Sequence, residues 1–304
     1  MLLISSPRFQ EHTTPPGHPE RPERAEVFDH VASAWRDRGG RVIEPRQATR
    51  EELLRVHDAA HVDAMAATSG RAVMLDADTF TSPESYEIAL LAAGAAVQAV
   101  EHALDTRETA FALVRPPGHH AERDKAMGFC LFNNVAVAAA AAIARGLSRV
   151  AVVDIDVHHG NGTQWMFYAD PTVLYMSTHQ FPFYPGTGAA DERGTGAGAG
   201  FTFNVPLAAG ATDADYAAAY RTIAGVLYKY APELLLVSAG FDAHEDDPLA
   251  SMRMSTAGYA DVVKSLADTA ARIGCPMALA TEGGYDLDAL RACLDACLAT
   301  LDGL

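Results

Sequence analysis

The chain's 304 residues, 49% of them hydrophobic, suffice for a large core, and 39 Asp and Glu against 23 Lys and Arg leave a net charge of −16. So acidic a surface repels nucleic-acid backbone and anionic lipid, which argues against both as partners, and it suits cationic substrates. The four cysteines lack zinc-ribbon spacing, and Cys293 and Cys297, four apart in a helical pattern, read as core residues of a protein kept in a reducing compartment. Met1 to Ser5 is too short for a signal peptide or a membrane span, and no other run reaches spanning length without charge, so the expected address is the cytoplasm.

Residues 1–7 open with a short strand. His12 to Arg24, rich in proline and glycine, is a loop leading into a helix over 25–38; its histidines and arginines either touch substrate or anchor the loop by ion pairs. Thr49-Arg50-Glu51-Glu52 starts a second helix with a capping-box pattern, and residues 84–104 form a long alanine-rich helix after Pro83. Phe111 to Val114 reads as a buried strand running into Arg115-Pro116-Pro117-Gly118-His119-His120-Ala121-Glu122. Two adjacent histidines on a Pro-Gly turn are not both ordinary core residues. Asn134 is the expected N-cap of a helix over 135–145.

The stretch Val150 to Gly162 is the most informative. An apolar, β-branched run ends at Asp154 and passes into Ile155-Asp156-Val157-His158-His159-Gly160-Asn161-Gly162, as a buried parallel strand does when its carboxyl end opens into a site. On an extended chain, residues two apart share a face, which aligns Asp154, Asp156 and His158. Asp156 and His158 offer an oxygen and an imidazole nitrogen to one divalent ion, a pair that suits zinc and equally manganese or iron(II). The competing reading is a polar strand end that merely caps the next helix.

A short helix over 163–168 follows, then a strand over 172–176 ending at Ser177-Thr178-His179. The glycine-rich stretch 180–200, with Phe183-Tyr184-Pro185-Gly186-Thr187-Gly188, lacks the strand-to-helix placement of a phosphate cradle, so no nucleotide site is expected. A strand over 201–205, a helix over 213–230 and a strand over 234–238 lead to Gly240-Phe241-Asp242-Ala243-His244. A helix over 255–273 and a strand over 277–280 lead to Glu282-Gly283-Gly284-Tyr285, and a helix over 287–301 closes the chain. Strands alternate with helices without repeat or linker. The expected architecture is a single α/β domain over 1–304, an open, mostly parallel sheet with helices on both faces and right-handed crossovers.

Four apolar strands thus end in Arg115–His120, Asp154–Asn161, Gly240–His244 and Glu282–Tyr285, and an open parallel sheet gathers its ligands at carboxyl strand ends. Asp242 is then the natural third ligand beside Asp156 and His158. Three protein ligands leave one position open, the mark of a catalytic rather than structural metal.

Taken together, the motif Arg115 to Ala121, Gly128-Phe129-Cys130, Asp154 to Gln164, Tyr184 to Gly188, Ser238 to Ala243 and Glu282 to Tyr285 resemble the zinc-dependent histone deacetylase and acetylpolyamine amidohydrolase superfamily, with its arginase-like fold. The motifs stand in family order across about residues 12–300. Asn161, where the nuclear class I enzymes carry aspartate, resembles the class II and bacterial branch. The resemblance implies zinc on Asp156, His158 and Asp242, with His119 and His120 as general base and acid. It implies that Asp154 orients His119 and Asn161 orients His120, and that Tyr285 donates to the oxyanion. A carboxylate partner favours an imidazolium and an amide does not, so the two histidines should differ in pKa. Gly128 and Phe129, with one of Phe183 and Tyr184, would wall a narrow tunnel. The family also implies potassium at Asp154, Ser177 and Thr178, and a second ion near Phe167, Asp170, Val173 and Phe201.

The substrates so implied are acetyl-lysine in proteins or peptides, or acetylated polyamines. Leu249 stands where polyamine-selective eukaryotic members carry a gatekeeping glutamate, and the loop at Pro15–Pro22 is short, which favours acetyl-lysine. A manganese ureohydrolase of the arginase type would need further acidic ligands where only Asp242 precedes Ala243-His244. A catalytically dead acyl-lysine binder would have lost a ligand, a histidine or the tyrosine. Iron(II) in place of zinc, the acyl preference and self-association as a homo-oligomer are left open by the sequence.

Overall fold

In the computed structural model, residues 1–303 are described. In chain order they form β1 (Leu2–Ile4), α1 (Glu23–Asp37), β2 (Arg41–Ile43), α2 (Arg50–Leu54), α3 (Ala59–Ala66), β3 (Val73–Met74), β4 (Phe80–Thr81), α4 (Ser85–Thr106) and β5 (Ala110–Ala112). Then come α5 (Asn134–Ala144), β6 (Val150–Asp154), α6 (Asn161–Met166), β7 (Val173–Gln180), β8 (Thr202–Leu207), α7 (Asp213–Tyr230), β9 (Leu234–Ala239), α8 (Thr256–Ile273), β10 (Met277–Thr281) and α9 (Leu287–Asp302). Eight strands make one sheet in the order β2-β1-β5-β10-β9-β6-β7-β8, with every pairing parallel; β3 and β4 form a separate antiparallel hairpin.

The central strands are apolar on both faces because both faces are covered. Val150 and Val152 join Leu234, Leu236, Ala278 and Ala280 under α4 and α5. Ala151 and Val153 join Leu235, Val237 and Leu279 under α1, α7, α8 and α9. Alanines on α4 and α5 let those two helices lie close over the sheet. By length and composition α4 could cross a membrane, yet most of it is buried in this core. Cys293 and Cys297 are fully buried on α9, as their helical spacing suggests.

The sheet order puts β5, β10, β9 and β6 side by side at the centre, and these are the strands whose ends carry the candidate motifs. Their register aligns Asp154 with Ser238 and with Ser177, so the ends lie level.

Several local expectations change. Asn133, not Asn134, caps α5, its side chain accepting from Ala136 N at 2.9 Å, while Asn134 donates to the Pro116 carbonyl at 3.1 Å. β7 continues through Ser177, Thr178 and His179, because Ser177 bonds His179 at 2.8 Å and Thr178 bonds Tyr220 at 3.0 Å, satisfying polar groups inside the core. The short β2, α3 and the β3–β4 hairpin carry too weak a periodicity to be read from sequence. The Thr49 capping box is present as expected.

Candidate active site

Asp156, His158 and Asp242 meet where the carboxyl ends of β6 and β9 adjoin, each buried, with one donor atom apiece within 4.8 Å of the others. His158 Nδ1 lies 3.1 Å from both Asp156 Oδ1 and Asp242 Oδ2. The free oxygens are taken by backbone: Gly283 N donates to Asp156 Oδ2 at 2.8 Å, and Val157 N to Asp242 Oδ1 at 2.9 Å. β6 stops at Asp154, so Asp156 and His158 reach the cluster from a bend rather than from the extended strand first inferred. Gly240 and Gly283 press their backbones against the carboxylates; a Cβ at either would collide with Asp156 or Asp242.

The charge balance of this cluster calls for a cation. Burial opposes a charged His158, but Asp156 and Asp242 outweigh it and push the imidazole up to about 10. Burial, and then the charge of Asp156, raises Asp242 to about 7. Two carboxylates and an imidazole with donor atoms this close are a set that fits zinc.

His119 and His120 follow β5 on the turn from Arg115, their rings 4.0 Å apart. His119 Nδ1 lies 3.0 Å from Asp154 Oδ2, and His120 Nδ1 lies 2.7 Å from Asn161 Oδ1. Burial disfavours charge on both. At His119 the carboxylates of Asp156, Asp154 and Glu282 overcome it and raise the pKa well above the ordinary value. At His120 burial is reinforced by His119 and His158, and the pKa falls well below it. The two partners are a carboxylate at His119 and an amide at His120, and Asp156 acts on His119 more strongly than its partner Asp154 does.

The turn itself is held by Glu282, the first residue of the Glu282-Gly283-Gly284-Tyr285 segment after β10. Its Oε2 accepts from Gly118 N at 2.6 Å and His119 N at 3.1 Å, and its Oε1 accepts from Ser238 Oγ at 3.0 Å. The loop before α1 is tied to the same centre. Buried Glu20 accepts from Arg115 at 2.7 and 2.8 Å and pairs with Arg24, which donates to the carbonyls of Glu282 and Gly284. Of the two readings of that loop, ion-pair anchoring describes Glu20 and Arg24. No sequence periodicity marks such a contact, which joins residues about 260 positions apart.

Tyr285 follows β10. Its backbone N donates to Asp247 Oδ2 at 2.6 Å, and the Arg24 guanidinium lies 5.0 Å from its ring centre. Burial, followed by the charge of Asp242, lifts the phenol well above its usual value, so it remains a donor. A cavity of about 180 Å³ is lined by Asp78, His120, Gly128, Phe129, His158, Phe183, Tyr184, Leu249 and Tyr285. Its walls are aromatic: Phe183 stacks on His158 at 5.5 Å, Tyr184 meets His120 at 5.2 Å, and Phe129 meets Tyr285 at 5.8 Å. Both members of the Phe183-Tyr184 pair line it, where one was expected. Phe129 holds φ +69° beside Gly128 at +56°, a left-handed pair that turns the ring to the wall instead of the core. Asp78 at this mouth was not anticipated. A wider cleft of about 790 Å³ between the 13–22 loop and Pro248 adjoins through Leu249 and Tyr285, but it contains neither the histidine pair nor the ligand cluster.

Ser177 lies beside Asp154 across the strand pair, and its hydroxyl pairs with His179, while the Thr178 hydroxyl turns away to Tyr220.

Comparison with known families matches the histone deacetylase domain over residues 18–301. Among similar proteins, a probable deacetylase of Methanothermobacter thermautotrophicus is 40% identical over 308 residues, covering 100% of this chain and 91% of the relative. A probable deacetylase of Archaeoglobus fulgidus is 37% identical, covering 94% and 81%. Histone deacetylase 15 of Arabidopsis thaliana is 41% identical over all of this chain, which spans 55% of that protein. The crystal structure of the HDA15 HD domain superimposes with a TM-score of 0.95 at 38% identity, covering 100% of this chain and 91% of that one.

Proposed function

Because this chain belongs to the histone deacetylase family, we propose that it is a zinc-dependent amidohydrolase that removes acetyl or related acyl groups from the ε-amine of lysine in proteins or peptides. The observation that carries the reading is the narrow aromatic cavity whose lining includes His120, His158 and Tyr285. An extended alkyl-amine fits such a slot, and its amide would end among those three groups.

Asp156, His158 and Asp242 are the residues that would hold zinc, which supplies Lewis acidity to an amide carbonyl and to a water. His120, whose partner is the neutral amide of Asn161, would accept a proton from water and pass it to the leaving amine. His119, paired with the Asp154 carboxylate, is held toward the imidazolium and would stabilise the anionic transition state electrostatically. This divides the work differently from a simple base-and-acid pair. Tyr285 keeps its proton and donates to the oxyanion. Potassium at Asp154, Ser177 and Thr178 rests on the family resemblance, and no step above requires it.

Leu249 leaves its side of the mouth without the glutamate of polyamine-selective members, which supports acyl-lysine. Asp78 on the same rim favours the second reading, an acetylpolyamine substrate, because a carboxylate suits a distal ammonium. Kinetics on zinc-loaded protein would compare an acetyl-lysine peptide with acetylputrescine and acetylspermidine. A higher kcat/KM for the peptide supports the first reading, a higher value for the polyamines the second. No turnover of any acylamine with zinc or iron(II) overturns both.

A further inference from the structure

His120 can serve as a base only if its Nε2 carries the lone pair, which requires the neutral imidazole to hold its proton on Nδ1. Its Nδ1 partner is the side-chain oxygen of Asn161, at 2.7 Å. An amide is ambiguous in this position. Rotated by half a turn it would present its NH2 to Nδ1, put the proton on Nε2 and disable the base. Something must fix the amide.

The far side of Asn161 holds the answer. Its Nδ2 donates to Glu122 Oε1 at 2.7 Å, the shortest of its bonds and the one to a charged acceptor; it also donates to Met127 Sδ at 3.4 Å and reaches the His120 carbonyl at 3.5 Å. A carboxylate accepts and cannot donate, so it holds the NH2 outward and the oxygen toward His120. Glu122 is itself immobilised by its backbone. Its N–H donates to the Lys125 carbonyl at 2.8 Å, and its carbonyl accepts from His57 Nδ1 at 3.0 Å. The neighbouring Arg123 leans to Asp58 instead, at 3.9 Å.

We propose that Glu122 is a positioning residue that, through Asn161, sets the Nδ1–H tautomer of His120 and so keeps Nε2 free to accept a proton. The inference rests on the hydrolase reading for its catalytic consequence, but not for its structural claim. A carboxylate acts here one hydrogen bond farther from the imidazole than Asp154 does from His119, through a neutral amide. The arrangement orients His120 without placing a full negative charge beside it, and so without promoting the imidazolium.

The test uses zinc-loaded protein with 15N-labelled histidine and reads the His120 ring nitrogens by long-range NMR, beside kinetics on an acetyl-lysine peptide. Wild type should show Nδ1–H. Glu122→Leu should show a mixture with Nε2–H and lose about ten- to a hundredfold in kcat with KM within about twofold, the range seen when outer partners of a site are removed. Glu122→Gln, which matches the side chain in shape and keeps one acceptor oxygen, should lie between. A side chain that merely filled space would be replaced by glutamine without loss. An unchanged Nδ1–H tautomer in Glu122→Leu, or full kcat in both variants, overturns the proposal. Wild type that cleaves no acylamine would refute the hydrolase reading alone, since the spectrum still judges the relay.

Discussion

Replacing Asp247 by asparagine tests how the oxyanion donor is held. This carboxylate, 6% exposed, accepts three backbone N–H groups: Tyr285 at 2.6 Å and Asp286 at 3.2 Å on Oδ2, and Leu249 at 3.0 Å on Oδ1. An amide of the same shape has one acceptor oxygen, so the better orientation keeps Tyr285 and Asp286 and sets its NH2 against the Leu249 N–H. An unsatisfied buried donor costs about 1–3 kcal/mol. Burial raises the Asp247 carboxyl despite its three donors, so removing the charge returns part of that cost. The net loss should fall near the lower end, about 1–2 kcal/mol. Tyr285 keeps an acceptor but Leu249 does not, so the loop that ties the two together loosens, and kcat should fall about tenfold, since small misplacements of reacting groups are expensive. Urea unfolding of the zinc-loaded protein, analysed by linear extrapolation, and steady-state kinetics measure the two effects. An asparagine variant with wild-type midpoint and kcat would refute the view that this carboxylate positions Tyr285.

Tyr285→Phe should lower kcat about a hundredfold or more with little change in stability, because the residue is anchored through its backbone N–H, and matched activity and unfolding curves would check this. Gly283→Ala should weaken zinc about tenfold or more in a chelator competition, because the new methyl group drives into the Asp242 and Asp156 carboxylates, while circular dichroism stays unchanged. Metal removal should make stability fall with pH. The folded pKa of His158, about 10, lies above its unfolded value, so its contribution is complete below about 6.5 and is lost as pH rises toward 10. Zinc must displace that proton, so its affinity should climb over the same window, with proton release visible calorimetrically in buffers of different ionisation enthalpy.

The ends of β5, β6, β9 and β10 were legible in the sequence because a strand buried on both faces is a plain apolar run, and the polar residues that interrupt it stand out. Such an interruption names Asp154, Asp156, His158, Asp242, His119, His120 and Tyr285 by residue type and place. The sheet order then brings them together on β5-β10-β9-β6, a convergence expected of any open parallel sheet. Less legible was everything that depends on one side chain meeting a distant backbone. Glu282 under the histidine turn, Glu20 between Arg24 and Arg115, and Asp247 beneath Tyr285 are ordinary loop acids in one dimension. The cap of α5 moved by one residue, since adjacent asparagines are equivalent until the turn geometry selects Asn133. Composition and periodicity therefore determined the layers and the chemistry available at their edge, because burial imposes a pattern along the chain. Tertiary structure alone decided which loop acid meets which distant backbone group, because hydrogen-bond partners are chosen by position in space and leave no period in the sequence.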